Sequence, residues 1–141
     1  MKLNKELITK GMYLSGITNI AGVLVLSRFF TNKVINNADP VVMSNFGLLM
    51  IVVWGFVFLA MASKWQVLKW VIVAFVIEKF IYGFVWTKWL MNNDISSVYE
   101  EDTMAGIFYT IYGINDWFFC VFYIVVFIYL HKVQKRNNTL L

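Results

Sequence analysis

The chain has 141 residues, of which 60% are hydrophobic and only 14% are charged, and its formal net charge is +4. Its mean hydropathy is +0.69. Soluble domains average about 45–50% apolar and about 25% charged residues, and a soluble fold of this length could not bury so much apolar surface. The single cysteine excludes an internal disulfide and a cysteine-rich metal site. The composition therefore argues against a soluble enzyme and predicts an integral membrane protein with one domain over residues 1–141.

Four segments are long and apolar enough to cross a bilayer, which takes roughly 20 residues of α-helix. We expect these helices at about residues 7–30, 40–63, 68–91 and 104–130. The second segment starts with Pro40, a residue that the first turn of a helix tolerates. No segment shows the alternating pattern of a membrane β-barrel. The sequence thus predicts an all-α, integral membrane four-helix bundle.

The connections between the segments are short, which predicts antiparallel neighbours in an up-down-up-down order. In that order one side of the bundle carries eight basic residues: Lys2, Lys5, Lys10, Lys64, Lys69, Lys132, Lys135 and Arg136. The other side carries three: Arg28, Lys33 and Lys88. The positive-inside rule then places both termini in the cytoplasm. We expect a multi-pass protein of the bacterial inner (plasma) membrane, with the lipid bilayer rather than nucleic acid as its partner.

Three charged residues lie near the middle of the predicted membrane helices: Glu78 and Lys79 in the third, and Asp116 in the fourth. Each costs about 2.5–3.5 kcal/mol at that depth, whereas the apolar residues of the third helix contribute about 4–7 kcal/mol in total. That helix can therefore barely insert alone and has to bring its charges to partners inside the bundle.

In an antiparallel pair of helices, Lys79 and Asp116 fall at similar depth, which predicts an ion pair between them, with Glu78 either close by or facing the first or second helix. The formal charges of the three residues sum to −1. We call Glu78, Lys79 and Asp116 the charge cluster. It could carry protons or ions or anchor a ligand, or it could be a permanent salt bridge that sets the register of two helices.

Polar and aromatic side chains at similar depth could line a cavity beside the charge cluster. These candidates are Asn19, Trp54, Tyr82, Tyr109, Tyr112, Asn115, Cys120 and Tyr123. Several share a helix face with Asp116, since they lie at offsets of four and seven residues from it. The alternative is that they only fill the core. Small residues at Gly11, Ser15, Thr18 and Gly22 predict close contact of the first helix with a neighbour.

The sequence contains no phosphate-binding loop, zinc motif or nucleophile elbow. His131, at the end of the fourth segment, has no second ligand at similar depth. We therefore predict no catalytic residue, no metal site and no cofactor.

Short stretches of the chain resemble small bacterial four-helix membrane proteins of the DoxX-like kind. They are Asn45-Phe46-Gly47, Trp54-Gly55, Glu78 to Tyr82, Ala105-Gly106 and the stretch through Gly113, Asn115 and Asp116. The resemblance covers about residues 40–118 and implies the four-helix bundle without implying an activity.

Three functions fit these patterns, in order of preference. The first is a non-enzymatic bundle that binds a hydrophobic small molecule or serves as an accessory to a membrane protein partner, held together by the charge cluster. The second is transport of a proton or cation through Glu78 and Asp116 in a homo-oligomer. The third is an enzyme acting on a lipid, with Glu78 or Asp116 as acid and base.

Overall fold

The computed structural model describes residues 4–138, and over this range the chain is helical with no β-strand. The all-α prediction is therefore confirmed. The elements in chain order are α1 (Lys5–Leu26), α2 (Lys33–Ala38), α3 (Asn45–Met61), a 3-10 turn (Trp65–Val67), α4 (Lys69–Asn92), α5 (Ile95–Glu101) and α6 (Thr103–Asn138). The first and last three residues of the predicted domain lie outside the described residues.

The first helix ends earlier than residue 30, the end that the apolar run predicts. Helix α1 stops at Leu26, and Arg28, Phe29 and Phe30 follow with φ angles of 50°, 55° and 67°. Residues other than glycine rarely adopt this left-handed backbone conformation, and it cannot continue a right-handed helix. The three residues therefore form a turn. The buried Ser27 hydroxyl accepts a hydrogen bond from the Phe30 amide and helps to hold the turn. Apolar side chains at positions 29 and 30 therefore mark a loop, although they continue the hydrophobic run.

The second helix begins at Asn45, not at residue 40 as predicted. Pro40 lies in a separate turn, in which the Asp39 carboxylate accepts a hydrogen bond from the Val42 amide. Ser44 then caps α3, because its hydroxyl accepts a hydrogen bond from the Gly47 amide. Helix α3 is therefore 17 residues long, shorter than the predicted helix.

The third and fourth predicted helices begin within one residue of α4 and α6. Helix α6 continues to Asn138, well past the predicted end at residue 130. The connection predicted before the second helix holds the short helix α2, and the one predicted after the third helix holds the short helix α5.

The long helices form two antiparallel pairs. In the first pair, α1 crosses α3 at Gly16 and Gly55, where a Cβ added to Gly16 would lie 2.8 Å from the Gly55 carbonyl oxygen. In the second pair, the Trp86 indole on α4 donates a hydrogen bond to the Tyr109 carbonyl on α6. The lack of a side chain at the glycine crossing lets two helix backbones approach closely.

Two apolar clusters fill the bundle at different levels. One is built around buried side chains that include Val23, Leu48, Trp89 and Tyr109. The other is built around buried side chains that include Met12, Phe58, Phe75 and Tyr123. Along α1, α4 and α6, the residues of the charge cluster and Asn19 lie between the residues of these two clusters, whereas on α3 the partner of Lys79, Phe58, belongs to the second cluster.

All four long helices also carry large apolar side chains on their outer faces. Exposed examples are Ile17 on α1, Phe56 on α3, Phe80 on α4 and Phe118 on α6. By length and composition alone, two helical stretches within residues 4–138 could cross a membrane, namely Lys69–Asn92 and Thr103–Arg136. Helix α3 is apolar but shorter than these two.

Candidate functional site: a charge cluster between two clefts

Lys79 lies at the centre of the bundle and contacts a residue from each of the other long helices. Its ammonium donates hydrogen bonds to Asp116 Oδ1 on α6 at 2.6 Å and to Asn19 Oδ1 on α1 at 2.9 Å. It also lies 5.1 Å from the centre of the Phe58 ring on α3, within the range of a cation–π interaction. The ion pair predicted between Lys79 and Asp116 is therefore present, and the Lys79 side chain is only 1% exposed.

Asn19 connects the charge cluster to the α1–α3 pair. While its carbonyl oxygen accepts from Lys79, its amide nitrogen donates to the Ile51 backbone carbonyl at 3.3 Å. Both polar ends of this buried side chain thus have partners. Asn19 fixes the position of the lysine relative to α3 as well as to α1.

Glu78 is buried beside Lys79 but differs from Asp116 in its bonding. Its Oε2 atom lies 3.7 Å from the Lys79 ammonium, beyond hydrogen-bond distance. Among the described residues, neither carboxylate oxygen of Glu78 has a hydrogen-bond partner. A buried carboxylate without donors is costly to maintain, so Glu78 is the least satisfied member of the cluster.

A cavity of about 280 Å³ opens between α1 and α6 on one side of the charge cluster. Its walls are mostly apolar and include Ile17, Gly22, Ile51, Phe108 and Ile111. Ile17 and Ile111 are each about half exposed, so the cavity opens sideways between the helices. The polar residues in its lining are Thr18, Asn19, Tyr112, Asn115 and Asp116. We call this cavity the α1–α6 cleft.

A second cavity, also of about 280 Å³, lies between α3 and α4 and reaches Glu78. Its other lining residues are Trp54, Ala74, Ile77, Ile81 and Tyr82. We call it the α3–α4 cleft. The two carboxylates of the charge cluster therefore belong to different clefts, with Asp116 at the first and Glu78 at the second.

Five of the eight predicted cavity-lining residues do line one of these clefts. Asn19, Tyr112 and Asn115 lie at the α1–α6 cleft, and Trp54 and Tyr82 lie at the α3–α4 cleft. The Tyr112 hydroxyl is buried and, among the described residues, has no hydrogen-bond partner.

The remaining three candidates are packed in the core and line neither cleft. The Tyr109 ring stacks on Trp89, and its hydroxyl donates to the Ile35 carbonyl at 2.8 Å. Cys120 is buried with its Sγ 3.8 Å from the Val76 carbonyl. Tyr123 contacts the rings of Phe58 and Phe75. These residues do share a helix face with Asp116, but away from Asp116 that face packs in the core of the bundle, where Tyr109 belongs to the first apolar cluster and Tyr123 to the second.

Sequence reasoning missed the role of Gly22, which the spacing of small residues assigns to helix contact. A Cβ added at Gly22 would meet no atom within 4 Å, because this residue faces the α1–α6 cleft. The close crossing uses Gly16 instead. The four-residue spacing alone does not distinguish a glycine that faces a helix from one that faces a cavity.

A polar network at one end of the bundle was also not predicted. The Asp102 carboxylate accepts hydrogen bonds from the Arg28 guanidinium at 2.7 Å, the Asn32 amide group at 2.9 Å and the Ala105 backbone amide at 2.8 Å. Desolvation opposes ionisation of Asp102, but these hydrogen bonds and the Arg28 charge together lower its pKa. The network connects the left-handed turn after α1 to the start of α6.

Within residues 4–138, no group of three or more histidine, cysteine, aspartate or glutamate side chains is placed to hold a metal ion. No family model, curated protein or solved structure matches the chain. The resemblance to DoxX-like proteins therefore stays a prediction.

Proposed function

We propose that this protein is a multi-pass four-helix bundle of a bacterial inner membrane, with α1, α3, α4 and α6 as its membrane helices and both termini in the cytoplasm. The large apolar side chains on the outer faces of all four helices support this setting, because soluble proteins rarely expose so continuous an apolar surface. The buried position of Lys79, Glu78 and Asp116 supports it too, since membrane proteins direct such charges to the bundle interior.

Within this bundle, the proposed function is non-enzymatic binding of a hydrophobic small molecule in the α1–α6 cleft. The observation that carries the proposal is the cleft itself, an apolar cavity of about 280 Å³ that opens sideways between two helices and ends on buried polar groups. A dry apolar cavity of about 150 Å³ is enough to bind benzene in a protein core. The cleft is therefore large enough for part of a lipid chain.

The polar groups at the cleft favour a ligand with an apolar chain and a neutral hydroxyl. Asn19 already accepts a hydrogen bond from Lys79 and donates one to Ile51, and Asp116 already accepts one from Lys79. The Tyr112 hydroxyl is buried without a partner among the described residues and can both donate and accept. A long-chain or sterol-like alcohol would satisfy it and would leave the ion pair of Lys79 intact.

The charge cluster has a structural part in this proposal. Lys79 holds Asp116 and Asn19 at the inner end of the cleft, and it connects the two antiparallel helix pairs on either side. Because breaking a buried ion pair leaves an uncompensated charge, the cluster keeps the bundle in one register. The cleft thereby keeps its shape when no ligand is bound.

Photolabelling tests the proposal with a long-chain alcohol that carries a diazirine on its alkyl chain. The purified protein is incubated with this probe in lipid nanodiscs, irradiated and digested, and the labelled peptides are identified by mass spectrometry. We expect saturable labelling of α1 and α6 around Gly22 and Ile111. An excess of the unlabelled alcohol should prevent this labelling.

The key variant is Gly22→Trp, which fills the cleft without displacing a neighbouring atom at the Cβ position. Val53→Trp is the matched control, since Val53 is exposed on α3 and does not line the cleft. Gly22→Trp should abolish saturable labelling while Val53→Trp retains it. Equal labelling of the two variants would show that the probe reads general lipid contact, and the proposal would be rejected.

A further inference from the structure

The α3–α4 cleft is lined by Glu78, whose carboxylate accepts no hydrogen bond from the described part of the chain. Glu78 is 5% exposed, and neither of its oxygens accepts a hydrogen bond. The nearest cation, the Lys79 ammonium, is 3.7 Å away and donates to Asp116 and Asn19 instead. Buried polar groups are normally hydrogen-bonded, so this carboxylate is a candidate for a donor supplied from outside the chain.

The charges around Glu78 favour a cation. The charge cluster has two carboxylates and one ammonium, which gives a formal sum of −1. The neighbouring helices add no positive charge at this level, because α1 contributes the neutral Asn19, α3 contributes the Trp54 and Phe58 rings, and α6 contributes the acidic Asp116. One monovalent cation at Glu78 would make the buried cluster neutral.

The walls of the cleft favour an organic cation over a metal ion. Calcium and magnesium ions need about six or more oxygen ligands. Among residues 4–138, no three histidine, cysteine, aspartate or glutamate side chains are grouped so that they could hold a metal ion. An ammonium ion needs only acceptors and brings three N–H donors. Trp54 and Tyr82 line the same cleft, and aromatic faces attract cations, with tryptophan the most effective.

The outer part of the cleft is apolar. Ile77 and Ile81 line it and are each about half exposed. A ligand could therefore extend an alkyl chain along these side chains while its charged end reaches Glu78. A small hydrated cation would gain nothing from these walls.

We propose that the α3–α4 cleft binds a lipophilic primary ammonium ion, with its N–H groups on the Glu78 carboxylate and its alkyl chain along Ile77 and Ile81. This site is separate from the α1–α6 cleft of the proposed function and does not depend on it. The ligand class differs as well, since the first cleft suits a neutral alcohol and the second a cation.

Equilibrium dialysis of radiolabelled dodecylamine tests the proposal, using the full-length protein in a nonionic detergent at pH 7, where the amine is protonated. We expect saturable binding that unlabelled dodecylamine displaces and dodecanol does not. Glu78→Gln should weaken binding about tenfold or more, because it removes a charge-assisted hydrogen bond. Gly22→Trp should bind dodecylamine as the wild type does, which separates this test from that of the proposed function.

A second variant avoids any change in the charge cluster. Ala74→Trp fills the α3–α4 cleft, and Ala60→Trp is its matched control on an exposed position outside the cleft. Binding should be lost in Ala74→Trp and kept in Ala60→Trp, and this pair decides the question if Glu78→Gln does not fold. Non-saturable binding to the wild type, equal displacement by dodecanol, or unchanged binding in Ala74→Trp would each overturn the proposal.

Discussion

The ammonium of Lys79 on α4 lies 2.6 Å from Asp116 Oδ1 on α6, at the level between the two apolar clusters of the bundle. The ion pair is almost completely buried and joins the two helices of the α4–α6 pair, while the hydrogen bond from Lys79 to Asn19 joins that pair to α1. Removing one partner would leave the other charged and buried, which costs about 3–5 kcal/mol. The stability of the bundle should therefore respond more strongly to single than to paired changes at these positions.

Lys79→Met is expected to lower the free energy of unfolding by about 3–5 kcal/mol, and the double change Lys79→Met with Asp116→Leu should recover much of that loss. Denaturant unfolding in micelles, followed by circular dichroism, measures both. Lys10→Met is the control, since the Lys10–Glu6 ion pair is largely exposed and should matter by about 1 kcal/mol or less. A double variant no more stable than Lys79→Met would show that the ion pair is not what orders the bundle.

Two glycines of α1 should respond to alanine with opposite signs. Gly16→Ala places a methyl group 2.8 Å from the Gly55 carbonyl oxygen, and we expect a loss of about 1–3 kcal/mol from overpacking. Gly22→Ala meets open space and should stabilise the helix by about 0.5–1 kcal/mol. Thermal unfolding of the two variants beside the wild type distinguishes them. If both changes were neutral, the close contact of α1 with α3 at Gly16 would be contradicted.

Two tyrosines of α6 offer a similar comparison. Tyr109→Phe removes the donor to the buried Ile35 carbonyl, so the free energy of unfolding should fall by about 1–3 kcal/mol. Tyr112→Phe removes a hydroxyl with no partner among the described residues and should leave stability unchanged or slightly higher. In the photolabelling experiment, Tyr112→Phe should weaken binding of the alcohol probe more than Tyr109→Phe does. Unchanged binding in Tyr112→Phe would rule out its hydroxyl as the ligand's partner.

The Asp102 network predicts a dependence of stability on pH. Because the pKa of Asp102 is lower in the folded protein than in the unfolded chain, its contribution is present above the unfolded pKa of about 3.9. That contribution is lost as the pH falls through the lower, folded value. The difference in melting temperature between wild type and Asp102→Asn should therefore be constant at neutral pH and shrink below about pH 4.

Glu100→Gln is the control for this prediction, since Glu100 is an exposed carboxyl of the same segment. Its melting temperature should follow the wild type across the whole pH range. A difference between wild type and Asp102→Asn that persists unchanged at acidic pH would mean that the carboxylate charge does not stabilise the connection from Asp102 to Arg28.

The ends of the helices are the features that the hydropathy pattern predicts least well. The apolar run continues through Phe29 and Phe30, yet α1 ends at Leu26 because the following residues adopt a left-handed turn. The run also includes Pro40, yet the Asp39 side chain organises a separate turn before Ser44 caps α3. Hydropathy records which side chains avoid water, but local side chain to backbone hydrogen bonds decide where a helix begins.

From the sequence alone, the all-helical class, the apolar character of α3, α4 and α6, and the pairing of Lys79 with Asp116 could be predicted. These features could be predicted because helix length, hydropathy and the cost of burying a charge can be judged from the residues of each segment. Only the tertiary structure decided that Asn19 and Phe58 complete the contacts of Lys79, that Gly22 faces a cavity, and that Glu78 and Asp116 line different clefts. These features depend on the rotation and crossing of the helices, which arise from the packing of all side chains at once.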